Sequence, residues 1–414
     1  MYSLYLHIPF CLSKCWYCDF NSYPGLSALY DSYTEALATE ISFWARTLRL
    51  TRYAGENSSA VLDTIYLGGG TPSLLGFRRI SRLLDACRSF ELKTDAEITI
   101  EANPGTVDST LLRALKRAGV NRLSLGVQSL DDTMLSRLGR LHSAAEARRA
   151  YELARQAGFA NVSVDLIYGL PEQDLQHWAS TLEEVLALEP EHLSLYALTL
   201  EEGTPMEADA AAGRLNLPDQ DQSADMYSLA EYVLDRTGYE HYEISNWARH
   251  GYQCRHNLTY WRNRPYLGCG AGAHSSFPGL RFHNRMIPAD YIAEVRRAGR
   301  DPALPPGGAT PRILATPEEV ASLPWVERVD FLTEQESLAE TIILGLRLRE
   351  GVDLNLLAEQ LQSDPTAFDD RYRDLVAAGL LWYDNGRIGL TARGRLLGNE
   401  VFIRFLPPAR APKM

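Results

Sequence analysis

NRLSLGVQS (residues 121–129) and NVSVDLIYGLP (161–171) are the stretches most informative about the architecture, because apolar and small or polar residues alternate in both. Leucine and valine alternate with serine, glycine and Gln128 in the first, and with serine and Asp165 in the second. Successive side chains of a strand point to opposite faces, so each strand has one apolar and one polar face. An open doubly wound sheet would be apolar on both faces. The pattern therefore predicts a barrel or half-barrel whose interior holds a ligand.

The two stretches belong to a series of predicted strands that alternate with predicted helices. Such alternation predicts a parallel sheet covered by its helices. Together with the polar inner face, it predicts an α/β fold built on a partial (β/α)6 barrel. The strands are expected at 3–8, 61–70, 97–104, 121–129, 161–171 and 192–198, and the helices at 27–49, 77–90, 107–118, within 131–157, and at 174–188.

Beyond residue 200 the regular alternation ends. A predicted helix at 221–237 and an aromatic, turn-rich stretch at 239–277 complete a barrel region over 1–280. We predict an irregular connection over 281–334, because it contains the proline- and glycine-rich sequence DPALPPGGATP at 301–311, a composition typical of linkers and surface loops.

The remaining residues, 335–414, are predicted to form a small winged-helix-like domain. Asn385-Gly386 lies between two apolar runs, which is a strong signal for a β-hairpin. Three helical segments precede that hairpin, at 336–348, 353–362 and 365–378.

Charge and hydropathy exclude several classes of protein. The formal net charge of -12 argues against nucleic-acid binding as the main role. No run of about 18 apolar residues is present, so we predict no membrane span. The beginning, MYSLYLHIPFC, lacks a basic leader and a cleavage site, and we therefore expect a cytoplasmic protein, in which six cysteines are poor evidence for disulfides.

Three of those cysteines are clustered directly after the first strand, as Cys11-x3-Cys15-x2-Cys18. One hypothesis is a structural zinc site with His7 as the fourth ligand, although such sites favour paired Cys-x-x-Cys elements. The favoured hypothesis is a [4Fe–4S] cluster, which cysteine thiolates hold. Three thiolates leave one iron open to a substrate or cofactor.

Polar residues gather at the predicted barrel mouth. The turn GGGTP (68–72) ends the second strand, and Glu101, Gln128 and Asp165 lie at the ends or on the inner faces of the next three. Sites of α/β barrels lie at the carboxyl ends of the strands, so these groups are candidates to bind an ammonium group and ribose hydroxyls. Arg140 can pair with a ligand carboxylate, with a solvated helix-end arginine as the alternative.

The stretch CRHNLTYWRN (254–263) brings an imidazole, His256, close to Tyr260 and Trp261. Imidazole is a common axial ligand of haem iron, and aromatic rings pack on a planar macrocycle. Spacing alone favours ordinary packing of an aromatic corner over haem binding. GCGAGAHSS (268–276) is compatible with a plain tight loop.

At the cysteine motif the sequence resembles the radical S-adenosylmethionine (SAM) proteins. YLHIPFC, YLGGGTPS, EANPGTV, GVQSLDD, LGRLH, DLIYGLPEQ and GCGAGAHS are similar, in this order, to oxygen-independent coproporphyrinogen III oxidase and its relatives. This resemblance covers nearly the whole chain, and it implies that Cys11, Cys15 and Cys18 ligate a [4Fe–4S] cluster whose open iron binds SAM for reductive cleavage. It also implies that one or two SAM molecules are surrounded by Tyr5, Tyr17, Gly69, Gly70, Thr71, Glu101, Gln128, Arg140, Asp165 and Ala197.

The chain departs from the oxidase pattern in two places. Phe20 stands where the oxidases have a further cysteine, and no extension precedes the first strand. Both departures are similar to the HemW-type heme chaperones, whose His-Asn-x-x-Tyr-Trp motif matches HNLTYW at 256–261. The resemblance implies that His256, Asn257, Tyr260 and Trp261 hold haem.

It further implies transfer of haem to acceptor proteins, with respiratory proteins as candidates, and it leaves open productive SAM cleavage, a homodimer and peripheral membrane contact. A true coproporphyrinogen oxidase, which removes carbon dioxide from propionate side chains, is the alternative, although we do not expect that turnover. A zinc-containing, nucleic-acid-binding winged helix is a third hypothesis, which the acidic charge disfavours.

Overall fold

The computed structural model describes residues 2–48, 61–299, 317–361 and 369–407. Six parallel strands, adjacent in chain order, form the centre of a twelve-stranded sheet. This arrangement confirms the predicted partial (β/α)6 barrel. The strands are β1 (Tyr2–Ile8), β2 (Val61–Gly69), β3 (Glu91–Ala102), β4 (Arg122–Gln128), β5 (Val162–Tyr168) and β6 (His192–Ala197).

Helices follow the first five strands and cover the outer face of the sheet. Leu123, Leu125 and Val127 of β4 are buried in the core on that face. Local capping fixes the helix ends, as where Ser143 and Glu146 form a capping box at the start of the fifth helix,. The helices are α1 (Tyr30–Leu48), α2 (Gly76–Cys87), α3 (Ser109–Arg117), α4 (Asp132–Arg137), α5 (Ala144–Gln156) and α6 (Leu175–Leu186), close to the predicted bounds.

The sheet continues past both edges of the barrel, which the sequence did not indicate. Residues 239–277, predicted as a turn-rich stretch, contain four strands and a helix, and residues 281–334, predicted as irregular, contribute two strands and two helices. Next to β6 lie β7 (Glu240–Glu243) and β8 (Asn246–Ala248); next to β1 lie β9 (Tyr266–Cys269), β10 (His274–Phe277), β11 (Leu280–Asn284) and β12 (Val326–Phe331), in the order β12-β11-β10-β9-β1.

The other helices of these regions are α7 (Pro205–Ala211), α8 (Gln220–Arg236), α9 (Arg255–Trp261), α10 (Pro288–Ala298) and α11 (Pro317–Ala321). The linker-like stretch 301–311 lies outside the described residues. In the described part of the chain, no helix has both the length and the apolar character needed to cross a bilayer.

The C-terminal region has the predicted helices and hairpin around its own core. Positive φ angles at Asn385 (48°) and Gly386 (85°) form the turn, as a type I′ hairpin requires. Backbone hydrogen bonds from Ile244 to Arg347 (3.1 Å) and from Arg349 to Tyr242 (3.0 Å) tie the region to the barrel edge. Its elements are α12 (Glu334–Gly345), β13 (Val352–Asp353), α13 (Leu354–Leu361), α14 (Asp369–Ala377), β14 (Leu381–Asp384), β15 (Arg387–Leu390), α15 (Ala392–Leu396) and α16 (Gly398–Phe402).

Candidate functional site

A cavity of about 610 Å³ extends from the carboxyl ends of the barrel strands into the barrel interior. Its wall contains the three clustered cysteines and every residue that the sequence assigned to SAM. The alternation in β4 and β5 accounts for this, because it turns the polar face of each strand inward. The assigned residues in the wall are Tyr5, Tyr17, Gly69, Gly70, Thr71, Glu101, Gln128, Arg140, Asp165 and Ala197.

The cysteine loop begins where β1 ends, and its three thiols are free and partly exposed. The guanidinium of Arg140 contacts the Cys15 sulfur (3.5 Å), and the Thr71 hydroxyl contacts the Cys11 sulfur (3.6 Å). Burial raises the pKa of Cys18. Polar contacts to sulfur and partial exposure to a cavity suit thiolates that bind an iron–sulfur cluster.

The zinc hypothesis requires His7 as the fourth ligand. The Nε2 atom of His7 donates to the Asn21 carbonyl (2.8 Å), and its Nδ1 atom is bonded to the Tyr5 hydroxyl (3.0 Å). Both ring nitrogens are therefore used. Across the described ranges, no three His, Cys, Asp or Glu side chains are arranged around one metal ion. A [4Fe–4S] cluster does not require such an arrangement, because each of its cysteines binds a different iron.

The glycine turn after β2 packs against the cysteine loop. A Cβ atom on Gly69 (φ 114°) would lie 2.6 Å from the His7 ring, and one on Gly70 would lie 2.6 Å from the Phe10 carbonyl oxygen. The Gly69 amide donates to Glu101 (3.0 Å). Glycine is needed here so that the turn can approach the chain that leads to the cysteines.

Two of the carboxylates that line the cavity, Glu101 and Asp165, come from the barrel strands. Glu101 accepts a hydrogen bond from the Tyr66 hydroxyl (2.8 Å), and its pKa is raised to about 7, chiefly by burial. Asp165 accepts from the hydroxyls of Ser124 (3.0 Å) and Ser163 (3.2 Å), while burial raises its pKa. Ionised carboxylates accept hydrogen bonds from ammonium and hydroxyl groups, which are the groups that SAM presents.

Arg140 is a fixed part of this wall, and the alternative of a solvated arginine is wrong. Its Nη2 atom donates to the Gly126 carbonyl (2.6 Å) and to Asn103 Oδ1 (2.8 Å). Because Nη1 contacts Cys15, this side chain links β4 to the cysteine loop. Its charge is therefore held at the cavity wall, beside the cysteine loop.

Sequence analysis missed a second arginine of the cavity, Arg122. Its side chain is 2% exposed, and its Nε atom has no hydrogen-bond partner within the described residues. Its charge opposes the rise in pKa of both Glu101 and Asp165. The signal was available, because Arg122 precedes Ser124 by two residues and shares its inward face.

The helix α9, which carries the motif HNLTYW, forms the inner end of the same cavity. Glu97 caps its beginning by accepting the backbone amides of Arg255 (3.1 Å) and His256 (3.1 Å). His256 is 1% exposed, its Nδ1 atom bonds Thr64 (2.7 Å) and its Nε2 atom bonds Tyr260 (2.8 Å). Burial lowers its pKa to about 3. No ring nitrogen of His256 is free.

The four residues predicted to hold haem do not share one surface. His256, Asn257 and Tyr260 line the cavity, whereas Trp261 is not part of its wall. The Arg347 guanidinium lies 4.4 Å from the centre of the Trp261 ring, so Trp261 faces the C-terminal region. The motif thus joins the barrel interior to that region, and haem binding by it stays a prediction.

Comparison with known proteins agrees with this architecture. Residues 5–185 match the Radical SAM superfamily, and residues 332–397 match the HemN C-terminal domain. The chain is 37% identical over 409 residues to the heme chaperone HemW of Bacillus subtilis (98% of this chain, 99% of that protein). It is 35% identical over 419 residues to the mitochondrial radical S-adenosyl methionine domain-containing protein 1 of Mus musculus (98% and 87%). The solved coproporphyrinogen III oxidase (HemN) of Escherichia coli superposes with a TM-score of 0.77 at 26% identity (97% and 89%).

The partial barrel, the cysteine loop and these matches define a radical SAM protein. Within that class, the chain belongs to the heme chaperone HemW family, which its full-length relatives represent.

Proposed function

We propose that this protein is a heme chaperone that carries a [4Fe–4S] cluster and SAM, binds haem and passes it to acceptor proteins. Full-length similarity to relatives named heme chaperone HemW carries the proposal. The cavity supports it, because the cysteine loop and the residues assigned to SAM share one wall.

Each group of the cavity then has a defined task. Cys11, Cys15 and Cys18 hold the cluster, which supplies electrons for SAM cleavage when it is bound. Glu101 and Asp165 accept hydrogen bonds from the ammonium and ribose groups of SAM, and Arg140 pairs with its carboxylate. The barrel excludes water from these contacts, which strengthens them.

Within this proposal, the residues that bind haem are those of the motif on helix α9, namely His256, Asn257, Tyr260 and Trp261. This binding requires the His256 ring to give up its bond to Thr64 or to Tyr260. We propose that the protein is located in the cytoplasm and that its haem acceptors are respiratory proteins. Homodimer formation and peripheral membrane contact are measurable by size-exclusion chromatography and by sedimentation with vesicles.

The test combines reconstitution, haem titration and transfer. Anaerobic reconstitution is expected to give about four irons and four sulfides per chain, whereas one zinc per chain would overturn the cluster. Titrated haem is expected to show a shifted Soret band and to move to apomyoglobin, used as a model acceptor. An unshifted Soret band at every haem concentration refutes the chaperone.

Coproporphyrinogen oxidation is a second candidate, favoured by the 26% identity and TM-score of 0.77 to the solved HemN. The reduced protein, SAM and coproporphyrinogen III are incubated together in the absence of oxygen. We expect no protoporphyrinogen, because Phe20 replaces the oxidase's further cysteine. Catalytic yields of protoporphyrinogen would overturn this assignment.

A further inference from the structure

Arg122 is a buried cation in the wall of the cavity. It is the first residue of β4 and therefore lies at the inner end of the barrel, away from the mouth. The residue is 2% exposed, and within the described residues its guanidinium forms neither an ion pair nor a hydrogen bond. A buried charge is costly unless opposite charge and hydrogen bonds compensate it. A cation that lines a cavity and lacks such partners is therefore a candidate binding group for an anionic ligand.

Strand pairing places Arg122 at the level just above the attachment of helix α9. Arg122 pairs with Thr99 of β3, and Thr99 pairs with Tyr66 of β2, so the three side chains lie in one row on the inner face. The next row towards the inner end contains Thr64 and Glu97, and both of these side chains bond to α9.

The electrostatics agree with this position beside the helix. Burial, together with the charge of Arg122, lowers the pKa of His256. The hydroxyl of Thr99, the direct neighbour of Arg122 in the row, is also buried and has no hydrogen-bond partner within the described residues. Two adjacent polar groups at this level are thus without protein partners.

Three carboxylates lie around Arg122 without bonding to it. Glu97 accepts two backbone amides of α9, Glu101 accepts a tyrosine hydroxyl and a backbone amide, and Asp165 accepts serine hydroxyls. Each carboxylate interacts with Arg122 through its charge alone. Because like charges repel strongly in a buried site, a singly charged carboxylate suits Arg122 better than a doubly charged phosphate does.

Aromatic rings next to Arg122 indicate what kind of molecule bears that carboxylate. The Tyr66 ring, in the same row, stacks on the His256 ring with 4.9 Å between centroids and 26° between planes. The Tyr5 ring lies 6.2 Å from each of them, and all three rings line the cavity. Aromatic side chains pack on flat ring systems. The inner end of the cavity therefore suits a planar macrocycle with a carboxylate at its edge.

The carboxylate of SAM has a different partner under the proposed function. Arg140 donates to the Gly126 carbonyl (2.6 Å) and contacts the Cys15 sulfur, so its guanidinium lies beside the cysteine loop. Gly126 lies about 13 Å from Arg122 along β4, at about 3.3 Å per residue. The two arginines therefore belong to opposite ends of the cavity, and Arg122 belongs to the end that α9 forms.

We propose that Arg122 binds a propionate carboxylate of haem at the inner end of the cavity and so fixes the orientation of the macrocycle against helix α9. This inference rests on the proposed function and adds a residue to it, because the motif HNLTYW contains no permanently charged side chain. The guanidinium fork donates two parallel hydrogen bonds to the carboxylate, which supplies the partners that the protein does not.

The test titrates haem and haem dimethyl ester, which has no free carboxylate, into the reconstituted full-length protein and follows the Soret band. The unmodified protein is expected to bind haem at least tenfold more tightly than the ester. Arg122→Met is expected to lose at least tenfold in affinity for haem and less than twofold in affinity for the ester. Equal losses for the two ligands would show that Arg122 does not contact a propionate and would overturn the inference.

The matched control is Arg117→Met, which makes the same substitution at an exposed arginine of α3 and is expected to leave both affinities unchanged. Urea unfolding separates ligand binding from a structural role. Replacing a buried charge that lacks protein partners with an apolar side chain is expected to leave the unfolding midpoint of Arg122→Met unchanged or higher. A lower midpoint with unchanged haem affinity would make Arg122 a structural counterion and overturn the inference.

Calorimetry with SAM distinguishes the two sources of a carboxylate. The Kd of Arg122→Met for SAM is expected to stay within twofold of that of the unmodified protein. A tenfold rise in this Kd with unchanged haem affinity would assign Arg122 to SAM and overturn the inference. An unmodified protein that binds no haem refutes the proposed function and the inference together, whereas equal haem affinity of the unmodified protein and Arg122→Met refutes the inference alone.

Discussion

Replacing Glu97 with alanine is expected to detach helix α9 from the floor of the barrel. Glu97 is 6% exposed, and its carboxylate accepts hydrogen bonds from two backbone amides, that of Arg255 through Oε2 and that of His256 through Oε1. Within the described residues, no other acceptor is bonded to these two amides.

The cost follows from the two amides that lose their acceptor. Each buried unsatisfied donor costs about 1–3 kcal/mol, and loss of a helix cap alone costs about 0.5–2 kcal/mol. Some water will reach the first turn, so we expect Glu97→Ala to destabilise the barrel by about 2–4 kcal/mol. Glu97→Gln retains one acceptor oxygen and is expected to lose about half as much.

Urea unfolding followed by circular dichroism measures the change in free energy, and hydrogen exchange of the α9 amides locates it. Glu91→Ala is the matched control, because Glu91 is an exposed residue of the same strand, where substitutions change stability by about 0.5 kcal/mol or less. If Glu97→Ala matches Glu91→Ala in both measurements, the carboxylate does not anchor the helix.

Three further predictions concern the cysteine loop, the pH dependence and SAM. Gly272→Ala would clash with the Asn21 amide and is expected to lower the iron bound on reconstitution at least twofold. The control Gly251→Ala, with a similar positive φ but open space around it, is expected to leave the bound iron unchanged, and equal losses in the two variants would contradict a role for the contact between Gly272 and Asn21. The pKa of Glu40 is raised to about 7 by burial, so the folded state retains a proton that the unfolded state releases near pH 4.5, and the free energy of unfolding should fall as pH rises from about 4.5 to 7. Urea titrations of Glu40→Gln should show a weaker dependence of this free energy on pH, and an unchanged dependence would exclude Glu40 as its source. Arg140→Ala is expected to raise the Kd for SAM about tenfold, equivalent to about 1.4 kcal/mol. Calorimetry on the reconstituted protein measures this Kd, and an unchanged value would remove Arg140 from the SAM site.

The predictable parts of the fold are the strands in which burial of one face imposes an alternation of apolar and polar residues along the sequence. In β4, Leu123 and Leu125 must meet helices while Ser124 faces inward, and this alternation is visible without any partner strand. Strands β7 to β12 are three to six residues long. Their pairing depends on the edges of β1 and β6, which are remote in sequence, so no local pattern reveals it.

Residue type indicated which side chains lie in the site, but it did not indicate which of their polar atoms are already hydrogen-bonded within the protein. The cysteines and Glu101 were found from motif and position, and the structure places them on one cavity wall. His256 was chosen because its motif matches the His-Asn-x-x-Tyr-Trp pattern of the HemW-type heme chaperones, yet its hydrogen bond to Thr64 depends on a residue distant in the chain.

The arrangement of the sheet also leaves the barrel open on one side. A ring of strands closes when its first and last members exchange backbone hydrogen bonds, but here β1 pairs with β9 and β6 pairs with β8 on the sides where they would have to meet. The gap between β1 and β6 therefore cannot be sealed by main-chain bonds. Side chains and segments outside the sheet therefore have to cover it. An opening of this kind lets a rigid, flat molecule enter and leave without the breaking of any strand pair.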